Sequence, residues 1–185
     1  MLVDGVARDY HAAKLKALKH LGLSDTIELP SNAEVEAELK LCQTTFDSNT
    51  HEQLIRSRRI KALESMRMFE EYSPRLFGAV FEGTATRYSP LEIQVFPDSP
   101  KDVVIKLLDF DVPFDTEDRR IRISKNESQV VPVYCFGVDD VEVELSVLQP
   151  NSLRQSPLSS ITNSPMKRAS IKQLIKMIEG SSDSN

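Results

Sequence analysis

The chain has little cysteine, no long apolar run and none of the short motifs that mark the common hydrolases and nucleotide-binding enzymes. Its two cysteines, Cys42 and Cys135, stand far apart, and neither belongs to a Cys-x-x-Cys pair or lies near a histidine. Zinc and redox sites are therefore poor readings, and two buried thiols in a reducing compartment are expected. No apolar stretch is long enough to cross a bilayer, so no membrane partner is expected. The N-terminus lacks a basic stretch followed by an apolar core, so no signal peptide is expected and the expected address is cytoplasmic. Gly-x-Ser-x-Gly, Gly-x-x-x-x-Gly-Lys and His-Glu-x-x-His are missing, which argues against nucleophile-elbow hydrolases, P-loop enzymes and zincins. His11, His20 and His51 share no ligand spacing and read as surface histidines.

What is present is an ordinary globular composition. With 185 residues, 40% hydrophobic and 28% charged, the chain has material for one domain with a small appendage. A net charge of −5 argues against nucleic acid as a main partner. Apolar residues at helical spacing predict a helix over 6–21, stopped by Gly22. A second helix starts at Ser31, with Glu34 as the far half of a capping box and an apolar face of Val35, Leu39, Leu41, Cys42 and Phe46. A third runs over 50–72 and closes at Ser73–Pro74. Its basic run, Arg56, Arg58, Arg59 and Lys61, reads as a solvated face.

The pattern then changes to strands, expected over 76–82, 91–96, 119–124, 129–136 and 141–148. Between the second and third lies a helix capped by Ser99, with Pro100 in its first turn, Asp102 as acceptor, and Val103, Val104, Leu107 and Leu108 buried. The turn from Gly137 to Asp140 pairs the last two strands antiparallel. A loop over 151–165 and a short helix capped by Ser170 complete the chain. The expected fold class is α/β (α+β), a mixed β-sheet of about five strands with helices on one face. Its parts are an N-terminal helical extension (1–49), a core (50–150), a loop with a C-terminal helix (151–180) and a disordered tail (181–185).

Strand parity sorts the side chains. Leu91, Ile93, Val95, Val141, Val143, Leu145 and Val147 belong to the helix-covered face, leaving Glu92, Gln94, Glu142, Glu144 and Ser146 opposite. Alternation with Ile121 and Ile123 puts Arg120 and Arg122 on that second face too. Two readings of it stand side by side: a reduced catalytic cleft, with glutamates for metal and arginines for phosphate, or a solvated face of cross-strand Glu–Arg pairs worth roughly 0.2–1 kcal/mol each. Lys167 and Arg168, after Pro165, either reach a phosphate or flank the last helix.

The order helix, strand, Gly83–Thr84, strand, helix and further strands resembles the nucleotidyltransferase fold of the DNA polymerase β superfamily over about 54–148. The stretches SNAEVEAEL, SPRLFGAVFEGTATRYSPLEIQVFPDSP, VEVELSVL and LRQSPLSSITNSPMKRAS also resemble a bacterial family described as nucleotidyltransferase-like. The first resemblance implies a first strand ending in a Gly-Ser turn that grips a triphosphate, with Gly83 and Thr84 in that place. It implies an Asp-x-Asp pair on the next strand and a third carboxylate later, together holding Mg²⁺. Here Ser89-Pro90-Leu91-Glu92 stands where Ser-Asp-x-Asp belongs, so Pro90 replaces one ligand. Glu92 and Glu144 remain as metal and catalytic candidates, with Arg120 and Arg122 for the nucleotide. The expectation is a degenerate nucleotidyltransferase-like protein binding a nucleotide or a protein partner with little or no transfer. Two alternatives are an active metal-dependent transferase on Glu92 and Glu144, and a protein-interaction module whose N-terminal helices bind a partner or a second copy.

Overall fold

The computed structural model describes residues 10–21, 29–32, 34, 35, 37, 38, 48–124, 126–159 and 163–180. The expected tail over 181–185 and the far half of the second predicted helix, including Cys42, lie outside them. Helix α1 is Tyr10–Leu21, tied to the following segment by Lys14 Nζ, which donates to the Pro30 carbonyl at 3.0 Å and to Asn32 Oδ1 at 2.8 Å. The Ser31–Glu34 capping box is present, with bonds of 2.7 and 3.2 Å in the two directions. Helix α2, Ser48–Met68, is followed by a 3₁₀ turn, Glu70–Tyr72. Then come β1 (Arg75–Phe77), α3 (Gly78–Glu82), β2 (Leu91–Val95), α4 (Pro100–Asp109), β3 (Asp115–Arg122), β4 (Ser128–Val138), β5 (Val141–Val147) and α5 (Ile171–Gly180).

The five strands form one mixed sheet in the order β1-β2-β5-β4-β3. Only β2 and β5 run parallel; the other three pairs are antiparallel. Outside β1, Leu76 bridges Ala169 through two backbone bonds of 2.9 and 2.8 Å, so the returning chain covers that edge. The β4–β5 hairpin closes on Asp139–Asp140 alone, with Asp139 at φ 54°, and Gly137 is already inside the strand.

One face of the sheet is apolar because alternate strand residues are. Leu91, Ile93, Val95, Val143 and Leu145 are fully buried or nearly so. They meet Ile55, Ala62 and Met66, spaced seven and four residues apart and therefore on one side of α2, and Phe69 just beyond its end. Val103 and Leu107 of α4 and Leu174 of α5 complete this core. Each large side chain so buried contributes roughly 1.5–3 kcal/mol. The α4 cap forms as its sequence implies: Lys101 N–H donates to Ser99 Oγ and Ser99 N–H to Asp102 Oδ2. At α5, Ser170 N–H donates to Gln173 Oε1 and Gln173 N–H returns to Ser170 Oγ.

The first strand is the main departure from expectation. It covers only Arg75–Phe77, because Gly78 takes a positive φ of 70° and turns the chain into α3. Gly83, at φ 77°, ends that helix rather than a strand. The strand expected over 119–124 is instead Asp115–Arg122.

Candidate functional site

At Gly78 the backbone passes so close to β2 that a Cβ would lie 1.7 Å from Glu92 Oε2. Glycine is needed there for space as well as for its φ. The same carboxylate accepts the Ala79 N–H at 3.2 Å, satisfying one of the donors that a helix leaves unpaired at its start. Glu92 is the register partner of Glu144 across the parallel β2–β5 pair, so the two carboxylates stand side by side. Arg119 reaches from β3 to donate through Nη1 to Glu144 Oε2 at 2.5 Å, with Glu117 Oε2 3.5 Å from its Nη2. Burial, and then the neighbouring Glu144 charge, push the Glu92 carboxyl up to about 7, while the Ala79 N–H and Arg119 pull the other way. Cys135 faces Glu144 from β4. Burial, followed by the surrounding carboxylates, raises its thiol above the usual range.

Glu92 and Glu144 are thus brought together, but Arg120 and Arg122 do not join them. In the β3–β4 register Arg119 pairs with Val131, whereas Arg120 pairs with Val130 and Arg122 with Ser128. Val131 shares the face of Cys135 and Glu144; Val130 shares that of Tyr134 and Leu145. Arg120 and Arg122 therefore lie on the helix side, where Arg122 donates to Asn163 Oδ1 at 2.7 Å. Alternation misplaces Arg120 and Arg122 because β3 is an edge strand, mostly exposed, where an apolar residue no longer marks the core side. Arg119 is the arginine that sequence reasoning missed, and the hairpin register was the signal that could have found it.

The Gly83–Thr84 turn is occupied with its own helix. The N–H groups of Gly83 and Thr84 both bond the Ala79 carbonyl, and the Gly83 carbonyl lies 2.9 Å from His51 Nε2. The basic run of α2 is not simply solvated. Arg58 is buried and donates to the Arg87 carbonyl, and Arg59 donates to the Val80 and Phe81 carbonyls at 3.4 and 3.2 Å. These cations pin the C-terminal end of α3 and the loop after it, where helix carbonyls favour positive charge.

The polar face continues past Gln94, and the chain after β5 folds back over it. Gln94 Nε2 lies 3.3 Å from Met166 Sδ, and Gln94 Oε1 accepts from Arg168 Nη1 at 2.9 Å. Gln94, Ser146, Val131 and Val133 are buried although they point away from the helices. Arg168 also donates to the Ser152 and Leu153 carbonyls at 3.1 and 3.2 Å and lies over the Phe96 ring. Lys167 is exposed.

These residues do not fit a two-Mg²⁺ centre. Arg119 already supplies the positive charge on Glu144, Glu92 is bonded to Ala79 N–H, and the next position on β2 is a neutral amide held by Arg168. Among the described residues no three His, Cys, Asp or Glu side chains cluster as metal ligands. Nor is any helix among them long and apolar enough to cross a membrane. Comparison with known proteins found no matching family model and no matching curated protein.

Proposed function

We propose that the chain is a nucleotidyltransferase-like protein that binds a nucleotide on the polar face of its sheet with little or no transfer. The observation that carries this reading is the state of the carboxylate pair: Glu144 is ion-paired with Arg119, while Glu92, bonded to Ala79 N–H, is driven toward its neutral form by burial and the Glu144 charge. A transferase of this kind needs several carboxylates left uncompensated for metal; this face has spent both. The likeness to the nucleotidyltransferase pattern rests on the strand–glycine–helix–strand arrangement. β1 ends at Phe77 and Gly78 turns the chain into α3, so in this reading the turn to compare with Gly-Ser is Gly78–Ala79 in place of Gly83–Thr84. Glu92, beside that turn, takes the place of the second acidic ligand, and Pro90 that of the first.

Calorimetric titration of the full chain with ATP, CTP, GTP and UTP, with and without Mg²⁺ or Mn²⁺, tests the reading. Binding of at least one nucleotide without metal, and no release of pyrophosphate, is the expected result. Binding that requires metal and is abolished by Glu92→Gln would favour an active transferase on Glu92 and Glu144. The absence of binding by all four would favour a protein-interaction module.

A further inference from the structure

A second charged feature of the polar face lies at its other end and is not balanced. Leu76 and Ala169 form the antiparallel bridge at the β1 edge, and both are buried toward the core. The residues next to them in sequence, Arg75 and Arg168, therefore point to the opposite face. Arg168 confirms this by its bond to Gln94, and Arg75 is the register partner of that same Gln94. In an antiparallel bridge the two arginines are diagonal cross-strand neighbours, with Cα atoms about 7–8 Å apart, within reach of one ligand.

Both guanidiniums are half-buried, and every hydrogen-bond partner they have among the described residues is neutral. Arg75 Nη1 donates to the Ser73 and Pro74 carbonyls at 3.0 and 2.9 Å. Arg168 donates to the Gln94 amide oxygen and the Ser152 and Leu153 carbonyls. No carboxylate forms an ion pair with either among those residues, in contrast to Arg119 with Glu144 and Lys61 with Asp140. Two like charges brought together, partly out of water and without a counter-ion, are costly to keep. The strain registers on both: burial lowers Arg75, and burial together with the Arg75 charge brings Arg168 down to about 10. Among the described residues the bonds of Arg75 are confined to Nη1, which leaves the Nε and Nη2 N–H groups of a planar guanidinium for phosphate oxygens.

We propose that Arg75 and Arg168 form a seat for a phosphate group, at the Gln94 end of the face and away from Glu92 and Glu144. The inference rests on the nucleotide-binding reading above and assigns the phosphate end of that ligand. It places the anion where the face is cationic, and keeps it clear of the two carboxylates that would repel it.

The test is calorimetry on the full chain with the four nucleoside triphosphates, the corresponding nucleosides, pyrophosphate and inorganic phosphate. Wild type is compared with Arg75→Gln and Arg168→Lys, with thermal melting to show that each variant is folded. Arg75→Gln is the main variant, because its bonds are only to the adjacent backbone. It is expected to weaken the best triphosphate at least tenfold, with competition by pyrophosphate and none by nucleoside. Triphosphate binding that survives both substitutions unchanged would overturn the arginine seat and leave the nucleotide reading standing. Pyrophosphate or phosphate binding lost in Arg75→Gln, with no nucleotide preferred over it, would keep the seat and remove the nucleotide. If no anion binds wild type, both fall.

Discussion

The two faces of the sheet are built from the same strands by opposite means. On the helix side, stability comes from area: alternate Leu, Ile and Val residues of β2 and β5 are buried against α2, α4 and α5. Many pairings would serve there as long as volume is kept. On the other side a few specific bonds matter. Glu144 depends on Arg119, Glu92 on Ala79 N–H, and Gln94 on Arg168. Substitutions on the first face should act through packing, and those on the second through charge and pH.

The largest effect belongs to the apolar face. Phe69 is fully buried, with its ring 6.3 Å from that of Phe136. Phe69→Ala should cost about 3–5 kcal/mol in urea unfolding, equally at pH 5 and pH 8. A strong pH dependence of that loss would break the contrast between the faces.

The polar face should respond to pH through Glu92. Its carboxyl is raised from 4.5 to about 7 in the folded state. Between those values the native protein holds a proton that the unfolded chain has released, so this contribution is whole below pH 4.5 and is lost as pH rises through 7. The loss amounts to up to ~3 kcal/mol on linkage. Glu92→Gln, which stays neutral and keeps an acceptor for Ala79 N–H, should flatten the stability profile over that window. An unchanged profile would remove Glu92 as its source.

Gly78→Ala should destabilise by about 1–3 kcal/mol, because it meets Glu92 Oε2 and imposes a left-handed φ on alanine. Pairing it with Glu92→Ala should recover the steric part and leave the φ cost. A double mutant no better than the single would show that the collision does not matter.

The smallest effect sharpens the arginine correction. Arg119→Ala should cost about 1 kcal/mol, since the pair is partly exposed, and should raise the Glu92 midpoint further by leaving Glu144 uncompensated. Arg122→Ala, on the other face, should cost less than about 0.5 kcal/mol and leave that midpoint alone. Equal shifts from the two would contradict the register described for β3.

Much of the architecture was legible because local signals agreed with the global fold. The α4 and α5 caps, the antiparallel β4–β5 hairpin and the alternation of β2 and β5 all formed as their residues imply. The side-by-side placement of Glu92 and Glu144 followed from that alternation once β2 and β5 were neighbours. Other features depend on information that periodicity does not carry. Residues 78–82 read as strand because Ala79, Val80 and Phe81 are apolar, whereas Gly78 and Gly83 bracket them into a five-residue helix held by Arg59 and His51. Arg119 and Arg120 exchange faces with a one-residue change of register. The packing of Met166 and Arg168 on Gln94 joins residues some seventy positions apart, beyond any local pattern.

The central claim is that the Glu92–Glu144 pair is balanced from within the chain and not by a metal ion. The Glu92 carboxyl can be followed by carbon NMR across pH, in the presence and absence of millimolar Mg²⁺. A midpoint near 7 that Mg²⁺ leaves in place is the result expected here. A midpoint driven down into or below the ordinary carboxylate range by Mg²⁺ would show a metal held between the two glutamates, and would contradict it.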